Sequence, residues 1–181
     1  MNPVLQAIAG AALDATLATA SWVLALEGEK LRAVGAAGES AGELVGTEMP
    51  AGAGTAGYVI SSGQPIALTR RGADARLTDG LGARLGKQPT SVLCVPCPHD
   101  DTVLGALELV DKTGGAPFSF DDVELVTLLG GIAGVALSVA GTEVPARPPG
   151  EFAAELYRLA SSDPAAYARL SVVLDALLAR G

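Results

Sequence analysis

Three observations predict an α+β fold for this chain. Residues 21–26 and 31–36 are apolar segments on either side of Glu27-Gly28-Glu29, which is the pattern of a β-hairpin. Residues 92–97 and 103–110 repeat the pattern around Pro98-His99-Asp100-Asp101. These last two segments are nearly continuous in apolar residues, as expected of strands buried on both faces. Helical stretches flank the hairpins, at residues 4 to about 19 and 121–140.

The 181 residues suffice for one ordinary domain and an appendage, and an apolar fraction of 49% can fill a core. A net charge of -8 argues against a nucleic-acid footprint, which needs clustered Lys and Arg. Without a long basic run, an anionic membrane surface is also excluded as a partner. No run of about 18 uninterrupted apolar residues supports a membrane-spanning helix. The Ala- and Leu-rich stretch 4–20 has no basic residue before it and is interrupted by Asp14, so it does not read as a signal peptide. A cytoplasmic protein is expected, and the Ala- and Gly-rich, Lys-poor composition suits a bacterial genome of high GC content. Nothing calls for a cofactor.

The elements follow in order. Leu5, Ile8, Ala12 and Leu13 stand near helical spacing in the first helix, and the first hairpin comes next. Residues 38–53, rich in Gly and Glu, read as loop. Thr55 is placed to cap a short helix through Tyr58, Val59 and Ile60, with Gly63 as a left-handed stop. Pro65 suits the entry to a strand at 66–69. Residues 70–87 are polar and read as a loop with a helical turn or two at 73–85. After the second hairpin, Ser119 is the expected N-cap of the long helix, with Asp122 three residues on as a capping-box variant. Phe118 and Val123 occupy hydrophobic-staple positions, and Asp121, Asp122 and Glu124 suit the positive end of the helix dipole.

Residues 142–150 hold three prolines and read as a linker between a domain at 1–141 and a helical tail at 151–181. Two helices are expected in the tail, at about 151–160 and 164–180, the second entered through Asp163-Pro164. It carries Tyr167, Leu170, Val173, Leu174, Leu177 and Leu178 as an apolar stripe. About thirty residues cannot build their own core, so this tail is expected to dock on its own domain, a second copy or another protein.

Several motifs yield to structural readings. Gly52-Ala53-Gly54-Thr55-Ala56-Gly57 spells G-x-G-x-x-G, but Glu48-Met49-Pro50 before it is no core strand of a dinucleotide-binding βαβ unit. Gly54 and Gly57 instead allow a tight turn into a closely packed helix. Cys94-Val95-Pro96-Cys97 spells C-x-x-C. On a strand the two side chains point to opposite faces with Cα atoms roughly 10 Å apart, beyond the ~7 Å limit of a disulfide. No further Cys or His pair completes a zinc site, so both read as buried small residues, one of them able to line a pocket or pair between chains. His99, the one histidine, stands in a turn where a general base has no positioned partner.

The run Gly54, Gly57, Val59, Gly63, Pro65 and Ile66 matches G-x-x-G-x-V-x-x-x-G-x-P-I. Together with residues 91–129, it resembles GAF domains, small sensor modules. The resemblance covers residues 1 to about 141, roughly three quarters of the chain. It implies a GAF-like, profilin-like α+β fold: a central antiparallel sheet, N- and C-terminal helices on one face, pocket loops on the other. Asp111-Lys112 and Phe118-x-x-x-Asp122 resemble most of the Asn-Lys, Phe, Asp-Glu motif of cyclic-nucleotide-binding members and imply a Lys112–Asp122 salt bridge. Asp111 replaces the Asn and Val123 the Glu, so the motif marks the fold more than that ligand.

The family's pockets direct attention to Arg70, Arg71, Asp74 and Arg76, where guanidinium forks suit a carboxylate or phosphate. The alternative is a solvated loop in which Arg76 pairs with Asp74 or Asp79. Tyr58, Arg70, Asp74, Arg76, Ser91 and Cys94 are the candidate ligand contacts. Bilin-binding and methionine sulfoxide reductase relatives use loop cysteines, which this chain lacks.

The resemblance implies a non-enzymatic signalling module with a small-molecule ligand, relaying to a partner protein through its terminal helices. The alternatives are a ligand-free module that dimerises through those helices and, last, a thiol redox switch. The tail is too short for a catalytic output domain, so the signal is expected to reach another polypeptide.

Overall fold

The structure is a computed structural model describing residues 2–69, 80, 89–140 and 149–178. It divides into two compact units, Met1–Gly141 and Thr142–Gly181. The first runs α1 (Pro3–Thr16), β1 (Ala18–Glu27), β2 (Lys30–Gly38), α2 (Ala41–Leu44), β3 (Glu48–Pro50), α3 (Gly54–Ser62), β4 (Ile66–Thr69), β5 (Ser91–His99), β6 (Thr102–Lys112) and α4 (Phe120–Val139). The described strands form one antiparallel sheet in the order β3-β2-β1-β6-β5-β4. The long hairpins lie centrally because their strands are the most apolar.

The sheet is buried on both faces. Leu5, Ile8, Ala9 and Ala12 of α1 and Val126, Ala133 and Ala136 of α4 pack with Val23, Leu93, Val95, Leu107 and Leu109 on one face. Leu44 of α2, Met49 of β3 and Ala56 and Val59 of α3 pack with Trp22, Leu24, Val92, Ala106 and Val110 on the other. The implied α+β architecture is therefore the observed one.

Several boundaries differ from expectation. α1 stops at Thr16, three residues early, because Leu17 turns left-handed (φ 58°) and β1 begins at Ala18. Within the stretch read as loop, residues 41–44 are helical. Glu48–Pro50 pairs with β2 as a short edge strand, antiparallel and so still foreign to a dinucleotide fold. α3 begins one residue before Thr55 with Ala53 as N-cap, so Thr55 does not cap it. Gly63 does close it, at φ 66°. Gly57 sits against Gly52, where a Cβ would meet the Gly52 carbonyl carbon at 2.3 Å.

Pro96 and Pro98 lie inside β5, an unfavourable place for proline in a central strand. They are tolerated because β4 pairs with β5 only from Ser91 to Cys94. Register also shifts against β6 between the two prolines.

α4 has the expected capping box: the Ser119 hydroxyl accepts from Asp122 N, and an Asp122 carboxylate oxygen accepts from Ser119 N at 2.6 Å. By length and apolar composition α4 alone among the described helices would suffice to cross a membrane. Here it is a packing helix, with Val126, Gly130, Ala133, Gly134 and Ala136 buried on the sheet side.

In the second unit, α5 (Pro149–Ser162) and α6 (Pro164–Leu178) are joined at Asp163, whose carboxylate accepts from Ala166 N at 2.9 Å. α5 begins at Pro149, two residues before the expected linker ends, because proline is well suited to a first helical turn. The predicted turns within 70–87 and most of the linker lie outside the described residues.

Candidate functional site

Alternation along β6 puts Ala106, Glu108 and Val110 on the α3 face and Leu107 and Leu109 on the α4 face. In the sheet register Glu108 stands beside Trp22 of β1 and Cys94 of β5, and the row continues to Ala36 and Ile66. Glu108 is 2% exposed. α3 covers it, and the Thr55 hydroxyl donates a hydrogen bond to Glu108 Oε2. Trp22 Nε1 is buried on the same face without a hydrogen-bond partner in the described structure.

Burial raises the pKa of Glu108 above the ordinary carboxylate value, against the opposing influence of the Thr55 hydroxyl, the Cys94 thiol and the Trp22 indole. Burial, reinforced by the Glu108 charge, likewise drives the Cys94 thiol well above its usual value. Cys97 faces the α4 side and is also pushed up by burial. Both thiols are buried and shifted away from the thiolate, the form that acts as a nucleophile.

The far end of β6 joins three elements. Asp111, in a left-handed conformation (φ 47°), accepts on one carboxylate oxygen from Thr90 N at 2.7 Å, Thr90 Oγ1 at 2.6 Å and Ser91 N at 2.9 Å. It thereby fixes the entry to β5. Lys112 Nζ donates to Asp122 Oδ2 at 2.7 Å and lies 5.9 Å from the centre of the Phe118 ring. Burial works to raise the pKa of Asp122. The bonds from Lys112 and from the Ser119 N–H and hydroxyl together outweigh it, leaving the carboxyl below its ordinary value. Phe118 and Val123, the staple positions, pack into the same cluster beneath α4.

Of the candidate ligand contacts, Tyr58 is exposed on α3, Cys94 is buried in β5 on the α3 face, and Ser91, two residues before Leu93, is buried on the α4 face. Arg70, Asp74 and Arg76 lie outside the described residues. Tyr58 is therefore not brought together with Ser91 and Cys94. The residue not foreseen is Glu108; its only signal was one acid inside the apolar run Leu104-Gly105-Ala106-Leu107-Glu108-Leu109-Val110.

A separate groove of about 480 Å³ opens at the other end of the first hairpin. Leu5, Ala25, Val34, Leu104 and Leu137 line it, and the Glu27–Arg32 ion pair lies on its wall. Of the described candidate contacts, Tyr58, Ser91 and Cys94 do not line it. His99 is half-exposed at the hairpin tip, its Nε2 3.6 Å from Asp100 Oδ2. Among the described residues no group of three His, Cys, Asp or Glu side chains is arranged to hold a metal.

The GAF domain family profile matches residues 2–138. The GAF-B domain of DevS from Mycobacterium smegmatis is 26% identical and superposes with a TM-score of 0.60, covering 77% of this chain and 93% of that one. A type II free methionine-R-sulfoxide reductase from Thermoplasma acidophilum shares the fold at 15% identity and a TM-score of 0.61, over 75% of this chain and 91% of that one. The cGMP-specific 3',5'-cyclic phosphodiesterase of Drosophila melanogaster is 30% identical over 79 residues, which are 42% of this chain and 7% of that enzyme. The chain thus spans a small part of the length of the curated relatives it matches.

Proposed function

Since this chain belongs to the GAF domain family, whose members are signalling and regulatory small-ligand modules, we propose that it acts as a non-enzymatic sensor. It binds a small molecule between the α3 face of the sheet and the loops over it, and passes the change through its terminal helices to a partner protein. The division of labour between the two faces carries this reading. The α4 face is sealed by two long helices, whereas Glu108, Thr55 and the Trp22 indole N–H place polar groups in the layer under short α3. The elevated thiol pKa values of Cys94 and Cys97 favour a binding module over a thiol enzyme.

Cyclic nucleotides belong in the test because of the phosphodiesterase likeness. Thermal unfolding of the whole chain with a metabolite panel including cGMP and cAMP is expected to give a melting temperature that rises with ligand concentration. No shift with any compound, together with a native mass showing no retained molecule, would count against the proposal.

A ligand-free dimerisation module is the second reading, favoured by exposed Leu128, Val135 and Val139 on α4 and Val4 on α1. Light scattering that gives a monomer mass at every concentration would remove it.

A further inference from the structure

We propose that Glu108 and Thr55 form a proton-operated latch that holds α3 on the sheet, closed while the acid is neutral and loosened when it ionises. The inference does not depend on whether a ligand binds.

The geometry comes first. Glu108 lies on a central strand, 2% exposed, and its described oxygen contact is the hydroxyl of a residue in the first turn of α3. Its other buried positions are Ala56, Gly57 and Val59, and Ile60 is partly buried against the same core. Thr55 is the one polar side chain among the buried positions of this helix.

Next comes the charge. The groups facing Glu108 among the described residues are Trp22 from β1, Cys94 from β5 and Thr55 from α3. The single titratable one, Cys94, has its pKa raised by burial, and no cation among the described residues takes part. A neutral carboxyl keeps an acceptor oxygen for Thr55 and places no net charge in the core. Losing its proton to solvent leaves an anion with three dipolar neighbours and no counter-ion among the described residues, the arrangement buried charges tolerate least. Moving α3 aside admits water and relieves it. Because α3 runs through Gly63 into edge strand β4, this release would also uncover the sheet face around Trp22 and Cys94.

The sign follows. A carboxyl with a higher pKa when α3 is seated than when it is solvated binds its proton more tightly in the closed form. The opening constant of α3 then rises up to tenfold per pH unit between the solvated value near 4.3 and the raised one.

Trp22, the only tryptophan in the chain, is the reporter. Its emission in the whole protein, followed from about pH 4 to about pH 9, should titrate with a midpoint above the ordinary glutamate value near 4.3. Glu108→Gln should abolish that titration. Thr55→Val should move the midpoint upward, because Thr55 donates to the ionised form. Amide exchange at Gly57–Ile60, corrected for the intrinsic rate, should accelerate over the same pH range. A flat wild-type emission, a titration that survives Glu108→Gln, or α3 amides without excess pH dependence would overturn the latch. Should Glu108→Gln not fold, an unmoved midpoint in Thr55→Val overturns it equally.

Discussion

On one face of the sheet α4 comes so close that a Cβ at Gly134 would lie 1.9 Å from the Pro98 carbonyl oxygen, and one at Gly130 2.5 Å from that of Pro96. On the other face α3 is joined to the sheet by the Thr55 hydroxyl and a buried acid. The same contrast recurs in the two acids that serve these helices. Asp122, at the start of α4, has Lys112, a backbone N–H and a hydroxyl around it. Glu108, under α3, has no cation among the described residues. Close packing and a paired acid suit a permanent contact. A small-residue interface around an unpaired acid suits a contact that opens.

The strongest test of this contrast is Gly134→Ala. The clash is with strand backbone, which cannot yield as a flexible side chain would, so a loss of about 3 kcal/mol is expected in denaturant unfolding. A loss below about 1 kcal/mol would show that α4 is not tightly seated. Next in size is Asp122→Ala, which removes the Lys112 bridge and half of the capping box. It should cost about 2 kcal/mol near neutral pH.

The two acids should also respond to pH with opposite signs. Asp122 is held below its ordinary value, so its stabilisation is complete above about pH 3.9 and is lost as the pH falls through the lower folded value. Glu108 is held above its ordinary value. Its contribution is complete below about pH 4.3 and fades as the pH rises through the higher folded value. As pH rises, Asp122→Asn should therefore fall below wild type and Glu108→Gln should rise above it in unfolding stability. Parallel curves would end the comparison.

Thr55→Val should cost about 1 kcal/mol at low pH, where α3 is seated. Smallest is Gly131→Ala. An added Cβ there meets nothing within 4 Å, so the better helix propensity should stabilise the protein by about 0.5 kcal/mol. A destabilised Gly131→Ala variant would mean that this side of α4 is covered in solution.

Much of the fold was legible in local chemistry. The hairpins, the Ser119 cap and the Gly63 stop each depend on residues within one turn or one strand pair. The misread places were those where a distant partner redirected a side chain. Thr55 looked like a helix cap from its neighbours but is turned to the sheet by Glu108, fifty-three residues away. Glu48–Pro50 has too little apolar content to announce a strand and becomes one because β2 offers it an open edge.

By itself the sequence determined which segments are strands and helices and that both faces of the sheet must be covered. Apolar periodicity, caps and turn residues act over a few positions. Tertiary structure alone decided that, among the described residues, the α3 face holds a buried acid without a counter-ion while the buried acid on the α4 side, Asp122, is paired with Lys112. A side chain's charge state depends on which groups surround it in space, and Trp22, Thr55, Cys94 and Glu108 meet only when four separate elements are packed together.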